Sequence, residues 1–395
     1  MKKFFFVAAF FAALLSCGGG GGEVSPEPTP VPTPTPEPEP EPTPTPTVTF
    51  AKGADISWAS EMEAGGIKFH KKDGTEAPLL EVLKDCGINA IRLRVWVKPY
   101  GGWSGKEDVL AVAKKVQAAG MDLMIDFHYS DFFADPSRQQ IPEEWLVHKD
   151  DMYEMCRQVR VHTLDVLNTL KYANVTVKWI QIGNETRNGM LWPTGQMWTQ
   201  SGDIPDGRKH FAELYNAGYE AAKEVFPDAL VMPHLNNAYE DNEWWFEQVK
   251  TAGAKFDAIA LSHYPHLESK MWVGTTEKTL TPTEVNQYAV AHIQKLYIIF
   301  QVPIFISEVG VKPSVQNAAS VLASFMTEIR KLNYCQGVFY WEPQVDGTWK
   351  PEVYSKPSEL SRLTGETITK PWGPWNQGAF TSTFSPSSIL DCFAD

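Results

Sequence analysis

Two glutamates stand where a chain could use them for chemistry. Glu185 closes the stretch Trp-Ile-Gln-Ile-Gly-Asn-Glu that begins at Trp179, and Glu308 closes Phe-Ile-Ser-Glu from Phe305. Each follows a short apolar run of the kind that makes a buried strand, so each carboxyl group is delivered where a strand emerges. A charge left at such a place needs a partner. Two carboxyl groups facing across a cleft are the machinery of glycoside hydrolysis. One protonates the leaving oxygen, and the other attacks the sugar carbon or activates water. The acid of the pair needs a raised pKa, which burial and a negative neighbour supply. Glu185 alone would read as a helix-start glutamate favoured by the helix dipole. Asn184 before it and Glu308 far along the chain turn the reading to catalysis. The 14 tryptophans and 12% aromatic content offer flat apolar surfaces on which the C–H faces of sugar rings stack.

The elements that must position these groups read as alternating strands and helices. Strand-like runs occupy residues 50–56, 89–97, 121–128, 178–183, 229–234, 257–264, 303–308 and 337–341. Helical patterns lie between them, at 106–120 (ending on Gly120), 152–172, 207–226 (stopping before Pro227), 285–300 and 318–332. Eight near-continuous apolar strands separated by helices or long loops predict an α/β fold, a single (β/α)8 TIM barrel. A doubly wound open sheet is the runner-up, but no Gly-rich fingerprint follows the first strand. In a barrel the strand C-termini form the site. Those ends carry Asp55, Arg92, Arg94, Asp126, His128, Asn184, Glu185, His234, His263, Tyr264, Glu308, Trp341 and Glu342. Arg92 and His128 also admit structural readings, as a barrel ion pair and a satisfied core histidine. His234 and His263 are evenly balanced between site and core.

The pattern is similar to the large clan of retaining (β/α)8 glycosidases, with Asn-Glu after strand four and Glu after strand seven. Within it, KGADISWASEMEAGG, RLRVWVKP, DFHYSDFFADPSRQQIPEEW, IQIGNETRNGMLWPTG, LSHYP and FYWEP together resemble glycoside hydrolase family 53, the endo-β-1,4-galactanases. The resemblance runs from about Lys52 to Trp341 and beyond. It implies cleavage of internal β-1,4-galactosyl bonds in pectic (arabino)galactan with retention of configuration. By position it makes Glu185 the acid/base and Glu308 the nucleophile. Asn184 would bind the 2-hydroxyl of the sugar next to the cut, Arg92 would support and Tyr264 orient the nucleophile, His128 would face the sugar, and Trp341 would form its floor. Asp55, Trp96, Asp131 and Trp145 lie in family motifs as further candidate substrate contacts. Phe132 stands where the family commonly has Trp. The segment after Glu308, EVGVKPSVQNAAS, lacks the carboxylate cluster that holds calcium in bacterial relatives, so no metal or other cofactor is expected; VDGTWKPE could offer oxygen ligands only thinly.

The rest of the sequence bears on location. Residues 1–16, MKKFFFVAAFFAALLS, read as a signal peptide too short to anchor as a span. Leu-Leu-Ser-Cys at its end resembles a lipobox, which makes Cys17 the candidate lipidated residue. Residues 17–48 form a disordered Gly- and Pro-Thr-Glu-rich linker whose prolines favour an extended spacer of about 60 Å. Residues 49–395 are then the catalytic domain. These features predict a lipoprotein on a bacterial membrane, expected at the outer membrane with its domain at the cell surface, and expected as a monomer. The net charge of −13 argues against a nucleic-acid partner. Cys86, Cys156, Cys335 and Cys392 match no zinc spacing, and disulfides stay open. Two other functions share these features: a β-mannanase or cellulase with the same two glutamates, and a non-catalytic surface glycan-binding lipoprotein. The last has no reason to keep paired carboxylates at strands four and seven.

Overall fold

The computed structural model describes residues 49–265, 269–273 and 276–394. The expected signal peptide, Cys17 and the linker over 17–48 lie outside the described residues. The barrel strands are β1 (Ala51–Asp55), β2 (Ala90–Val95), β3 (Asp122–Phe127), β4 (Trp179–Ile182), β5 (Leu230–Met232, resuming as His234–Leu235), β6 (Ile259–His263), β7 (Ile304–Val309) and β8 (Cys335–Trp341). All pair in parallel in chain order, and β8 returns to β1. Pro233 interrupts β5, whose first part pairs with β4 and whose second pairs with β6, so the ring closes across the break. The (β/α)8 barrel read from the sequence is the fold observed.

Helices α1 (Ala59–Ala64), α2 (Leu79–Asp85), α3 (Lys106–Ala118), α4 (Met152–Tyr172), α5 (Gly207–Val225), α6 (Glu243–Thr251), α7 (Pro282–Phe300) and α8 (Ala318–Ile329) surround it, with α9 (Pro357–Thr364) beyond β8. α3 stops where Gly120 turns left-handed at φ 67. A capping box of Thr281 and Glu284, with Pro282 inside it, starts α7. No helix among the described residues is long and apolar enough to cross a membrane.

Strand alternation divides the side chains into two layers. Ile91, Leu93 and Val95 of β2 and Leu123, Ile125 and Phe127 of β3 pack outward with the helices. Their neighbours face the barrel interior, whose lower end is closed by Ala51, Ala90, Met124, Trp179, Met232, Ala260, Phe305 and Phe339. Small residues on β1, β2 and β6 make room for the large ones on β3, β4, β7 and β8. Continuing the same phase upward sets Asp55, Arg92, Asp126 and Gln181 above this plug. β7 needs one more device. Ile306 and Val309 both pack outward, three residues apart, because the pairing register with β6 and β8 shifts between them. That bulge rephases Glu308 to the interior, where regular alternation would have turned it toward the helices.

Gly53 is part of the plug: a Cβ there would lie 2.1 Å from the Phe339 ring. Phe339 is itself held by Trp179, with ring centroids 5.9 Å apart. Gly53→Val should therefore destabilise the fold by about 2 kcal/mol or more through overpacking, seen as a lower urea midpoint. An unchanged midpoint would show the plug to be looser than its geometry.

Candidate active site

The polar layer above the plug is organised around one fully buried guanidinium. Arg92 Nη1 donates to Asp55 at 2.7 Å, and Nε donates to Gln181 at 2.8 Å. Nη2 reaches Asp126 at 2.8 Å, the Asn184 amide oxygen at 2.9 Å and Glu308 Oε1 at 3.0 Å. Strands β1, β2, β3, β4 and β7 thus meet on a single cation. Burial alone would weaken its charge, but Asp126, Glu308 and Asp55 more than restore it, so its pKa rises. Asp126 is also buried, yet Arg92 and His128 outweigh that and keep its carboxyl below the usual range. His128 accepts the Ala134 N–H on Nδ1 at 3.0 Å and turns Nε2 to Asp126 at 2.9 Å. Those two contacts set the ring's Nε2–H on Asp126 and leave Nδ1 as the acceptor.

The two glutamates stand at the mouth above this cluster. Glu308 is 5% exposed and receives the Tyr264 hydroxyl on Oε2 at 2.8 Å, in addition to Arg92 on Oε1. Glu185 sits at a left-handed turn, φ 47, after β4. Its Oε1 is 2.7 Å from Ser262 Oγ, which is 3.5 Å from Glu308 Oε2. Those two spans hold the facing carboxyl oxygens to about 6 Å or less. So short a span between the nearest oxygens is the close pairing that direct attack by one carboxylate uses, rather than the wider one that holds a nucleophilic water. Burial, then the facing Glu308, pushes Glu185 up to about 8. Burial also raises Glu308, to about 7, but Arg92 and the Tyr264 hydroxyl oppose the rise. When the pair shares one proton it therefore rests on Glu185, leaving Glu308 ionised.

Two cavities meet at Glu185. The first, of about 230 Å³, is lined by both glutamates with His128, Phe133, Asn184, Tyr264, Trp341 and Trp375. The second, of about 620 Å³, takes in Glu185 and Tyr264 with Asn236, Asn237, Tyr239 and Lys312, without Glu308. Trp341 and Trp375 meet edge to face at 4.4 Å, and Trp58 lies 5.1 Å from Trp341. Behind this aromatic wall Arg94 packs against the rings of Trp58, Trp96 and Phe133 and donates to Glu342 at 2.6 Å.

Among the residues singled out in the sequence, Arg92, His128, Asn184, Glu185, Tyr264, Glu308 and Trp341 come together here. The others lie outside the cavity that holds both glutamates. Asp55 is fully buried, with one oxygen taken by Ser57 and the other by Arg92. Trp96, 5% exposed, stacks obliquely on Phe132 at 5.4 Å. Asp131 accepts the backbone N–H groups of Lys98 and Glu143 and braces their loops. Trp145 packs against Tyr129 and His162. Of the two evenly balanced histidines, His234 faces the interior. His263 faces outward, stacked on Phe325 at 4.0 Å with Nε2 2.8 Å from Asn286.

Sequence reasoning did not single out Ser262, Gln181, Phe133 or Trp375. Ser262 and Tyr264 are two apart on β6 and its extension, so one face presents both. That periodicity was the available signal.

Cys86, Cys156, Cys335 and Cys392 are all unpaired thiols. Asp346 spends its carboxylate on its own turn, accepting from Thr348 and the Trp349 N–H. Metal-ligating residue types gather elsewhere, between α6 and α7, where Asp241, Glu243 and His292 bring ligand atoms within 4.8 Å. His292 Nδ1 is 3.3 Å from Glu243, and Lys295 competes for the same carboxylate at 3.9 Å.

Comparison with known proteins gives one consistent picture. The model of glycosyl hydrolase family 53 matches residues 51–367. A Niallia circulans protein described as uncharacterized in the bgaB 5′ region is 36% identical over 58% of this chain and 61% of its own length, so the chain spans about three-fifths of that relative. A probable arabinogalactan endo-β-1,4-galactanase A of Neosartorya fischeri is 31% identical over 74% of this chain and 83% of that protein. The solved GH53 catalytic domain of Ignisphaera aggregans superposes with a TM-score of 0.70 at 26% identity, covering 90% of this chain and 98% of that one.

Glu185 titrates above its ordinary value, so the folded state favours its protonated form. That contribution is complete below the unfolded value near 4.5 and is lost as pH rises toward about 8. Glu185→Gln removes the titration while keeping the shape. Its unfolding free energy at pH 8 should exceed that of the unsubstituted protein by about 1–3 kcal/mol, with the gap closing toward pH 4.5. Urea denaturation at the two pH values checks this, and equal stability at pH 8 would rule out the raised titration.

Proposed function

This chain belongs to glycosyl hydrolase family 53, and from that premise we propose that it is an endo-acting β-1,4-galactanase that cleaves internal bonds of (arabino)galactan with retention of configuration. The observation that carries the mechanism is the bridged pair: Glu185 and Glu308 within about 6 Å through Ser262, with Arg92 on Glu308 alone. The substrate class rests on the family and on the galactanase named among its relatives.

The chemistry follows from the asymmetry of the pair. Glu308, ionised beside Arg92 and Tyr264, attacks the anomeric carbon from the smaller cavity. The bond to the glycosidic oxygen breaks, and that oxygen takes the proton of Glu185 as the leaving sugar departs into the larger cavity. A water then attacks the same carbon and gives its proton to Glu185, and the Glu308 carboxylate is released. Two inversions return the original configuration. Cavities on both sides of Glu185 fit a polymer that continues past the cut in both directions, which is endo action. Asn184 lines the glycone side, and its Nδ2, bonded once to Ala134 O at 2.8 Å, keeps a second hydrogen for a sugar hydroxyl. Trp341 and Trp375 offer their rings to the C–H face of the sugar.

Glu308→Ala should abolish galactan depolymerisation. Glu185→Ala should lose about 10²–10⁴-fold on galactan but keep turnover on an aryl galactoside whose leaving group needs no proton. Chromatography of the products, and NMR of the first anomer released, test both. Near-normal galactan cleavage by Glu308→Ala would remove the nucleophile assignment, and an inverted first product would remove the retaining mechanism.

We further propose that lipid on Cys17 tethers the enzyme to a bacterial membrane, with residues 17–48 as the spacer that lets the domain reach an external polymer. The support is the sequence Leu-Leu-Ser-Cys after an apolar run headed by two lysines. In cells, Cys17→Ser should move galactanase activity from the membrane fraction to the soluble fraction. An unchanged distribution would remove the anchor.

A further inference from the structure

The partners of Glu185 continue behind the cavity wall in one unbroken line, Glu185–Ser262–His234–Asn184, which ends on Arg92. We infer from the donor and acceptor order along this line that Ser262 and His234 are positioning residues that hold the proton on Glu185 until the substrate takes it. The inference rests on Glu185 being the acid/base.

The order is fixed from the far end. Arg92 has donors only, and its Nη2 lies 2.9 Å from Asn184 Oδ1. The other end of the same amide meets the Ala134 carbonyl, which can only accept, at 2.8 Å. The Asn184 amide therefore has one orientation, with its oxygen toward Arg92. That oxygen is 2.9 Å from His234 Nδ1, so Nδ1 carries the hydrogen between them. The Glu185 backbone N–H also points at Nδ1, 3.3 Å away. A bare Nδ1 would accept that longer contact but would press two acceptors together at 2.9 Å, so the shorter contact decides. His234 is fully buried, and burial and Arg92 together keep it neutral. With its one hydrogen on Nδ1, its Nε2 is an acceptor, and the group beside it is the Ser262 hydroxyl at 2.9 Å.

Serine has one hydrogen to give. Given to His234, it leaves the Ser262 oxygen as an acceptor toward Glu185 Oε1, 2.7 Å away. The hydrogen in that short contact must then come from Glu185 itself. Ionising Glu185 reverses the last link: the Ser262 hydrogen turns to the carboxylate, and His234 Nε2 is left bare in a buried site. The resting enzyme thus keeps its acid protonated. During cleavage the proton passes from Glu185 to the glycosidic oxygen, the bond to the anomeric carbon breaks with its electron pair on that oxygen, and Ser262 swings to meet the new carboxylate. Proton transfer from the attacking water resets the line. The other charged and titratable groups around it are Arg92 on β2, Asp126 and His128 on β3 and its end, Asp135 in the following loop, Tyr264 after β6 and Glu308 on β7. They are the same for either hydrogen order.

The test is the pH dependence of kcat/KM on galactan, whose basic limb reports the acid of the free enzyme. In His234→Phe, Ser262 has no ring nitrogen to serve and turns its hydrogen to Glu185, which favours the carboxylate. The basic limb should move down by about half to one pH unit. The opposite order, Nε2–H to Ser262 and Ser262 to an ionised Glu185, makes the same substitution move the limb up. An upward shift or no shift overturns the inference. Because phenylalanine at this buried place can fail to fold, the ring ¹⁵N resonances of His234 in the unsubstituted enzyme give a second readout. A neutral Nδ1–H ring near pH 6 is expected, and an Nε2–H ring or an imidazolium overturns the inference. Failure of the underlying reading is separately visible. If Glu185→Ala cleaves galactan normally, the acid/base assignment falls. If Glu185→Ala is confined to activated galactosides while the His234→Phe limb stays in place, only the proton order falls.

Discussion

The site depends on the burial of Arg92. One guanidinium with no exposure holds Asp55, Asp126 and Glu308 and fixes the Asn184 amide besides. Three carboxylates around one cation leave the cluster short of positive charge, in a region where charge is expensive. That deficit makes a fourth carboxylate at the mouth costly, so a proton there settles on the glutamate with the weakest support. Asp55 and Asp126 have Arg92 directly, and Glu308 has Arg92 and Tyr264. Among the described residues, Glu185 has only a serine hydroxyl within hydrogen-bond reach of its carboxyl oxygens. In the proposed mechanism, the distinction between acid and nucleophile is therefore set by which carboxyl group the cation touches. Two chemically identical side chains take opposite roles because their surroundings separate their pKa values.

Geometry makes that contact possible before electrostatics acts on it. The apolar plug below is built from small residues on three strands and large ones on the others, and it sets the height at which Arg92 and Gln181 emerge. Above it, period-two alternation carries the inward groups that lie within the strands, except Glu308. The β7 bulge supplies the missing half-step, turning Glu308 onto the face where Ser262 of β6 is its register partner. A single extra residue in one strand thus decides whether the Glu308 carboxylate lies in the cleft or among the helices.

The sequence made the barrel legible because its strands are buried on both faces and read as apolar runs, while the long helices carry clear stops at Gly120 and Pro227. The short helices α1, α2, α6 and α9 escaped because six to nine residues give too little periodicity against loop-like surroundings. Within the site, residues at strand ends were legible as polar groups where apolar ones belong. Motif membership was a weaker guide to contact. Asp55, Trp96, Asp131 and Trp145 sit in conspicuous stretches, yet each spends its polar atoms or its ring on neighbours behind or beside the cavity that holds both glutamates. Conversely, Ser262 looks ordinary in sequence. Its position becomes informative only when the fold sets it between two carboxyl groups, a relation between β4, β6 and β7 that no local pattern encodes.

The aromatic wall serves both recognition and acidity. Trp341, Trp375 and Phe133 make one face of the cavity that holds both glutamates apolar, Trp58 packs against Trp341, and Arg94 behind them gives its charge to Glu342 and its flat surface to the rings. A sugar seated against that wall displaces water that would otherwise solvate the glutamates. Desolvation is the first cause of the raised Glu185 value, so a bound sugar strengthens the condition that keeps the acid protonated. In the proposed mechanism, esterifying Glu308 to the sugar removes its charge, and the second cause of the raised value goes with it. Glu185 then becomes the weaker proton holder and can accept the proton of the incoming water only as that proton is released in attack. The sequence acid first, base second needs no movement of the backbone. It follows from the loss of one negative charge within about 6 Å of Glu185.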